Sequence, residues 1–226
     1  MRLRACYRLG PDLRFLSNLD TMHLLERALR RADLPYALSH GFNPHIRLSM
    51  GTVLPVGLWS EAEYFDLELG EEIPLPEFIQ RFNAVLPPDV YVKQAVEIGA
   101  GTPALMHSVN AAAYTLVLDE TDFPGAEFFA DLLVEQHLIV KSRGKKKDLD
   151  KDLRSGIYRI DIVEQKPGWM ATLWVATGEP LNIRYDELID LLEARGLARN
   201  RIKDIYRQGN YIYLAPAFVS PIEKVT

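Results

Sequence analysis

Cysteine is almost missing from this chain: Cys6 stands alone among 226 residues. One thiol cannot close an internal disulfide. Nor can it supply a CxxC zinc site or the ligands of an iron–sulfur cluster. A reducing, cytoplasmic setting is therefore expected. Long apolar runs are absent too. No stretch approaches the roughly 18 apolar residues of a membrane-crossing helix. The opening Met1-Arg-Leu-Arg-Ala-Cys-Tyr-Arg8 lacks the continuous apolar segment of a signal peptide. No membrane association is expected. An excess of positive charge is also lacking, since 26 Lys and Arg face 31 Asp and Glu for a net charge of −5. That balance excludes a uniformly basic nucleic-acid binder. No GxGxxG follows a predicted strand, and neither a GxxxxGK[ST] loop nor a GxSxG elbow occurs.

What remains is the composition of an ordinary globular protein, 48% hydrophobic and 25% charged, with 14 Gly and 14 Pro. At roughly 100–150 residues per domain, the length allows one large domain or two small ones. The charge is unevenly spread. Residues 1–50 carry eight Lys and Arg against four acids, together with His23, His40 and His45. Residues 51–100 carry only Arg81 and Lys93 against nine acids. Later basic stretches run from Lys141 through Lys145-Lys-Lys147 to Lys151, Arg154 and Arg159, and from Arg199 to Arg207.

The pattern of the first half predicts β-α-β-β-α-β. Strands are expected over 3–9, 47–55, 61–69 and 90–98. Helices are expected over 19–33 and 76–86. Ser17-x-x-Asp20 reads as a capping box before the first helix, which Leu34-Pro35 ends. Leu25, Ala28, Leu29 and Ala32 form its apolar face, and His23, Arg27, Arg30 and Arg31 lie on another. After a linker at 99–103 the order of elements repeats approximately. Strands are expected at 113–118, 138–141, 157–164 and 170–176, and helices at 124–135 and 185–194. Two short strands, 201–206 and 211–214, close the chain. The expected fold is α+β, two tandem ferredoxin-like units with antiparallel sheets, in domains 1–99 and 104–226.

The densest polar cluster is Ser39-His-Gly-Phe-Asn-Pro-His-Ile-Arg-Leu-Ser49. A polar loop between apolar elements is a common seat of function. It is equally a rigid connection whose side chains cap their own backbone. The five-residue spacing of His40 and His45 matches no zinc signature, and no metal site is expected. An imidazole beside a basic surface can activate a ribose 2′-hydroxyl, which makes His40 and His45 the catalytic candidates. Arginine forks bind phosphate, and Phe15, Tyr36 and Phe42 nearby suit stacking on single-stranded RNA. The nucleic-acid-binding candidates are Arg14, Arg27, Arg30, Arg31, His40, Asn43, His45, Arg47, Lys145, Lys146 and Lys147. The lysine run reads either as an exposed loop tip or as an arm on a phosphate backbone.

The stretches Leu13-Arg-Phe-Leu-Ser-Asn-Leu-Asp20, Leu25-Glu-Arg-Ala-Leu-Arg-Arg31, Leu34-Pro35, Ser39-His-Gly-Phe-Asn-Pro-His45 and Leu54-Pro-Val-Gly57 resemble a bacterial radical-SAM-linked family. That family is a domain of unknown function that follows a radical SAM protein or is encoded beside one. Its usual Ser-His-Leu-Asp is Ser17-Asn-Leu-Asp20 here, so one histidine is missing. Its usual Pro-Lys after the loop histidine is Ile46-Arg47, which keeps the positive charge. The resemblance implies a radical SAM partner holding SAM and an iron–sulfur cluster, with no cofactor bound by this chain. It also implies RNA, rather than DNA, as the substrate. The order of elements is in addition similar to that of repeat-associated CRISPR RNA-processing proteins, an analogy of architecture alone.

Three functions follow as expectations. The first is an RNA-binding accessory protein for a radical SAM enzyme, without catalysis of its own. The second is a metal-independent endoribonuclease. The third is a protein-only adaptor using the segment around Leu58, Trp59, Tyr64 and Phe65.

Overall fold

A computed structural model describes residues 1–119, 125–144, 148–165 and 168–225. It is a mixed α+β structure with antiparallel strand pairing in both of its parts. The chain divides into two compact units, one of residues 1–109 with 209–226 and one of residues 110–208.

The first unit contains β1 (Arg2–Leu9), α1 (Asn18–Arg31), β2 (Leu48–Met50), β3 (Ser60–Glu68), α2 (Leu75–Asn83), β4 (Val90–Glu97) and the short α3 (Leu105–Ser108). Its sheet runs β4-β1-β3, with β2 on the outer side of β3. Alternation along the strands sorts the side chains. Leu3, Ala5, Tyr7 and Leu9 of β1 and Phe65 and Leu67 of β3 meet Leu25, Ala28 and Leu29 of α1 and Phe78 and Phe82 of α2 in one core. Phe65 and Phe82 pack edge to face at 6.2 Å. The opposite positions, Cys6 and Tyr64, pack with Leu105 and Ile222 in a smaller cluster. Arg4 and Asp66 lie on that face as a buried pair, with Nε to Oδ1 at 2.8 Å and Nη2 to Oδ2 at 3.0 Å. The carbonyls of Pro103 and Pro221 accept further Arg4 donors, so the buried cation is held from several sides.

In the second unit, β5 (Ala111–Leu118) is followed by α4 (Gly125–Val134), β6 (Ile139–Lys141), β7 (Asp150–Asp152), β8 (Ile157–Glu164), β9 (Trp169–Ala176), α5 (Tyr185–Ala194) and β10 (Ile202–Leu214). The order here is β10-β5-β9-β8, and β6 pairs with β7 in a separate ribbon. Phe129 and Leu132 of α4, Leu188 and Leu192 of α5, and Leu173 and Val175 of β9 are buried. Glu187 is completely buried yet well satisfied. It accepts the Arg143 N–H at 2.9 Å, the Lys151 ammonium at 2.6 Å and the Arg184 N–H at 3.1 Å. That carboxylate ties the start of α5 to the segments around the β6–β7 pair.

Several expectations are corrected. The strand expected over 47–55 is only Leu48–Met50, because residues 52–58 form turns and loop. The closing strands 201–206 and 211–214 are one, β10, whose residues 209–214 belong to the first unit. The expected domains 1–99 and 104–226 shift accordingly: residues 100–109 and 209–226 fall in the first unit, where β11 (Ala217–Val219) pairs with β10, and the second unit is 110–208. Within the first unit, the buried Asn210 amide donates to Glu63 at 3.1 Å, a bond that sequence separation conceals. The adaptor surface fails as read: Leu58, Tyr64 and Phe65 are core residues, and Trp59 lies under Arg8 at 5.2 Å.

Candidate nucleic-acid interface

The capping box forms as expected. The Ser17 hydroxyl accepts the Asp20 N–H at 3.1 Å, and the Asp20 carboxylate accepts the Ser17 N–H at 3.1 Å. The Ser17 hydroxyl also donates to that carboxylate at 2.6 Å, and this bond, then the Ser17 N–H, hold the Asp20 carboxyl below its ordinary pKa. At the other end Asp33 takes a left-handed φ of 50°. The Leu34 N–H reaches the Leu29 carbonyl at 3.3 Å, closing a Schellman turn. Arg81 completes this end, donating to the Ala32 carbonyl at 3.0 Å and to that of Asp33. Both ends fixed, α1 buries Thr21, Leu25, Ala28 and Leu29 and leaves Leu19, His23, Arg27 and Arg30 exposed on its outer surface. Their spacings of four, four and three residues place these side chains on one side of the helix. Among the described residues, His23, Arg27 and Arg30 form no hydrogen bond or ion pair with the protein. Arg31 is less free, since it donates to the Val85 carbonyl at 2.8 Å.

The histidine loop is the end of a small hairpin. Leu38 and Ile46 bridge, the Arg47 N–H reaches the Ala37 carbonyl at 2.9 Å, and the Ser39 N–H reaches that of His45 at 2.8 Å. Ile46 is buried in the core and anchors one leg. The tip, from Gly41 to His45, is exposed throughout, and so is His40. Gly41 has φ +130°, a backbone that side-chain-bearing residues rarely adopt. Phe42 is fully exposed between His40 and Asn43. Among the described residues, no carboxylate hydrogen-bonds either imidazole.

The remaining candidates fall elsewhere. Arg47 pairs with Glu68 at 2.6 Å at the base of the hairpin. A cleft of about 230 Å³ there is lined by Arg2, Arg47, Leu48, Ser49, Asp66 and Glu68. Arg2 is paired to Asp66 at 2.9 Å, so two cations and two anions leave the cleft without a field of one sign. Arg14 donates from Nε to the Pro11 carbonyl at 2.9 Å. Its own carbonyl accepts the Gly57 N–H at 2.7 Å, which brings the exposed Phe15 and Val56 to one corner. Sequence reasoning passed over Leu19 and Val56, although Leu19 lies one turn before His23. Lys145, Lys146 and Lys147 lie outside the described residues.

The later basic stretches are largely committed. Arg143 forks onto Asp190 at 2.6 and 2.8 Å, and Lys141 meets Asp150 at 2.5 Å. Lys203 meets Asp119 at 2.8 Å, and Arg154 donates to the carbonyls of Leu133, Glu135 and Ile157. Arg159 pairs with Asp161 and lies over Trp174 at 4.3 Å. Among the described residues, the structure thus leaves the α1 stripe and the hairpin tip as the sets of candidates whose polar groups face solvent. No hydrogen bond or ion pair joins the two sets among the described residues. Nor does any group of three or more His, Cys, Asp or Glu there have the geometry to hold a metal ion.

Residues 2–185 match the model of a bacterial family described as "Uncharacterized protein conserved in bacteria (DUF2344)". The chain belongs to this family. No curated protein matches it. In fold, it is similar to a chain of the crystal structure of a Cbf5-Nop10-Gar1 complex, with a TM-score of 0.50 and 13% identity over 91% of this chain and 47% of that one. A second similar structure is an H/ACA RNP bound to a substrate RNA containing 2'-deoxyuridine. There the TM-score is 0.42 and the identity 12%, over 92% of this chain and 45% of that one. This DUF2344 member thus spans about half the length of these solved chains. At such identities the likeness concerns the α+β fold. No helix among the described residues is long and apolar enough to cross a membrane.

Proposed function

We propose that this chain is an RNA-binding accessory protein that presents RNA to a radical SAM partner for modification or processing. One observation carries the RNA-binding part. The outer side of α1 lines up His23, Arg27 and Arg30 with no hydrogen bond or ion pair to the protein among the described residues, the Asp20 carboxylate acting on His23 and Arg27 only at longer range, in a chain whose net charge is −5 and whose described later cations are largely paired. Unpaired guanidiniums on a rigid helix are free to take phosphate oxygens bidentately. Leu19 on the same side of the helix, and the exposed Phe15 before it and Phe42 at the hairpin tip, add apolar and stacking surface of the kind single-stranded RNA uses. The finer reading of the architecture, two tandem ferredoxin-like units, belongs to this proposal. The orders β4-β1-β3-β2 and β10-β5-β9-β8 support it, the β6–β7 pair being an insertion.

The partner rests on the resemblance of the first sixty residues to radical-SAM-linked proteins. Any cluster and SAM chemistry would belong to that partner, because one cysteine cannot ligate a cluster. We also propose a reducing, cytoplasmic setting, in which a lone thiol stays reduced.

Filter binding of a structured RNA at roughly 50 and 200 mM salt tests the RNA-binding core. The wild-type chain should bind with a salt-dependent affinity. Replacing Arg27 and Arg30 together by Ala should weaken binding and lower the salt slope by about two, one for each guanidinium taken from a phosphate. Unchanged binding in that double variant would sink the assignment. Incubating the same RNA with the protein in EDTA separates the nuclease alternative: cleavage abolished by His40→Ala with His45→Ala would make this chain an enzyme.

A further inference from the structure

We infer that Phe42 is a stacking wedge, and that the RNA is therefore engaged at an unpaired loop or bulge rather than along a duplex. The inference rests on the RNA-binding reading above and names its substrate class. Its first ground is exposure. Phe42 has no part of its ring covered, whereas Phe65, Phe78, Phe82 and Phe129 are completely buried. A large apolar ring left wholly in water is the informative departure from ordinary burial.

The second ground is mounting. The ring does not hang on a floppy segment, because the neck beneath it is closed on both sides. The Ser39 N–H donates to the His45 carbonyl at 2.8 Å, and the His45 N–H donates to the Ser39 hydroxyl at 3.0 Å. Below them Leu38 and Ile46 bridge, and Ile46 is fixed in the core. Pro44 fixes one φ of the tip itself. A closed neck limits the backbone freedom that the tip would lose when the ring stacks.

The third ground is chemistry. His40, Asn43 and His45 flank Phe42 along the tip and carry exposed amide and imidazole groups that can hydrogen-bond a base edge. An aromatic ring inserted into an apolar protein pocket gains nothing from such a polar collar. In a paired A-form helix the base faces are already stacked, so a ring finds its platform only on an unstacked base. Stacking is tolerant of sequence, so the recognised feature is an exposed base rather than a motif.

The test uses the full chain and two RNAs of one stem sequence, one closed by a loop carrying 2-aminopurine and one a blunt duplex. Wild type should prefer the looped RNA and quench the 2-aminopurine. Phe42→Ala should bind the looped RNA about tenfold more weakly, lose the quench and keep its duplex affinity. Its salt slope should match wild type, because no charge is removed. Phe42→Trp should restore both affinity and quench. Quenching and affinity unchanged in Phe42→Ala would overturn the wedge while leaving RNA binding in place. A wild-type chain that binds neither RNA would remove the RNA reading itself, and the wedge with it.

Discussion

Ser39 and His45 hold each other twice across the neck of the hairpin, once backbone to backbone at 2.8 Å and once through the Ser39 hydroxyl at 3.0 Å. The hydroxyl satisfies a backbone donor where the ladder has no further strand to offer. The serine is thus a structural part of a tip whose other polar side chains face solvent. Ser39→Ala should keep the first bond and lose the second. Since the His45 N–H is exposed to water, the cost should be at most about 1 kcal/mol. Amide exchange at His45 should quicken, and RNA affinity should fall without a change in salt slope. An unaltered exchange rate would show that the hydroxyl does not close the neck.

Arg4 and Asp66 make the opposite kind of contact, bidentate and almost wholly buried. Removing one partner strands the other charge away from water. Asp66→Ala should destabilise the first unit by about 3–5 kcal/mol, read as a lowered urea midpoint of the full chain. Arg2 also uses Asp66, so the loss should exceed that of Arg2→Ala, whose side chain is part exposed.

Asp152 accepts from the His137 ring at 2.7 Å and from the Leu138 and Arg154 N–H groups at 2.9 Å each. The His137 bond and then the two backbone bonds bring its pKa down from 3.8 to about 2. A depressed carboxyl contributes stability above its unfolded pKa and loses it as pH falls through the folded value. The melting temperature should therefore drop between about pH 4 and pH 2. Asp152→Ala should flatten part of that drop, a modest part because the side chain is partly solvated. Identical pH profiles for the two proteins would refute the assignment.

Cys6 is buried beside Leu105 and Ile222, and burial pushes its thiol up to about 11. A protonated, covered thiol is a poor nucleophile. In the native chain it should label with iodoacetamide at about pH 8 far more slowly than in urea. Equal rates would mean that the face of the sheet carrying Cys6 opens readily.

Legibility varied with the range of the interaction concerned. The capping box of α1, its apolar face and the alternation of β3 are readable because each is set within a few residues. The strand expected over 47–55 is too long, since apolar residues such as Leu54 also pack as loop residues against the core. The later basic stretches mislead for a different reason. Lys141, Arg143, Lys151 and Lys203 find carboxylates 9, 47, 36 and 84 residues away, and no local pattern announces such pairings. The sequence names the candidate residues individually, but only the fold separates Arg27 and Arg30, which face water, from Arg47, which faces Glu68.

The amino-acid sequence alone determined most elements and their order, because helix and strand periodicity, capping and turn residues act over one or two turns of chain. It also excluded a cysteine-ligated cluster, since that requires only counting. The tertiary structure decided where the second unit ends, since β10 takes its partners from strands far away in the chain. It also decided which cations are free, because a guanidinium is available to phosphate only where folding brings no carboxylate or carbonyl within reach. The exposure of Phe42 is of the same kind: an aromatic side chain in a polar loop can turn inward or outward, and in the folded chain this one faces solvent.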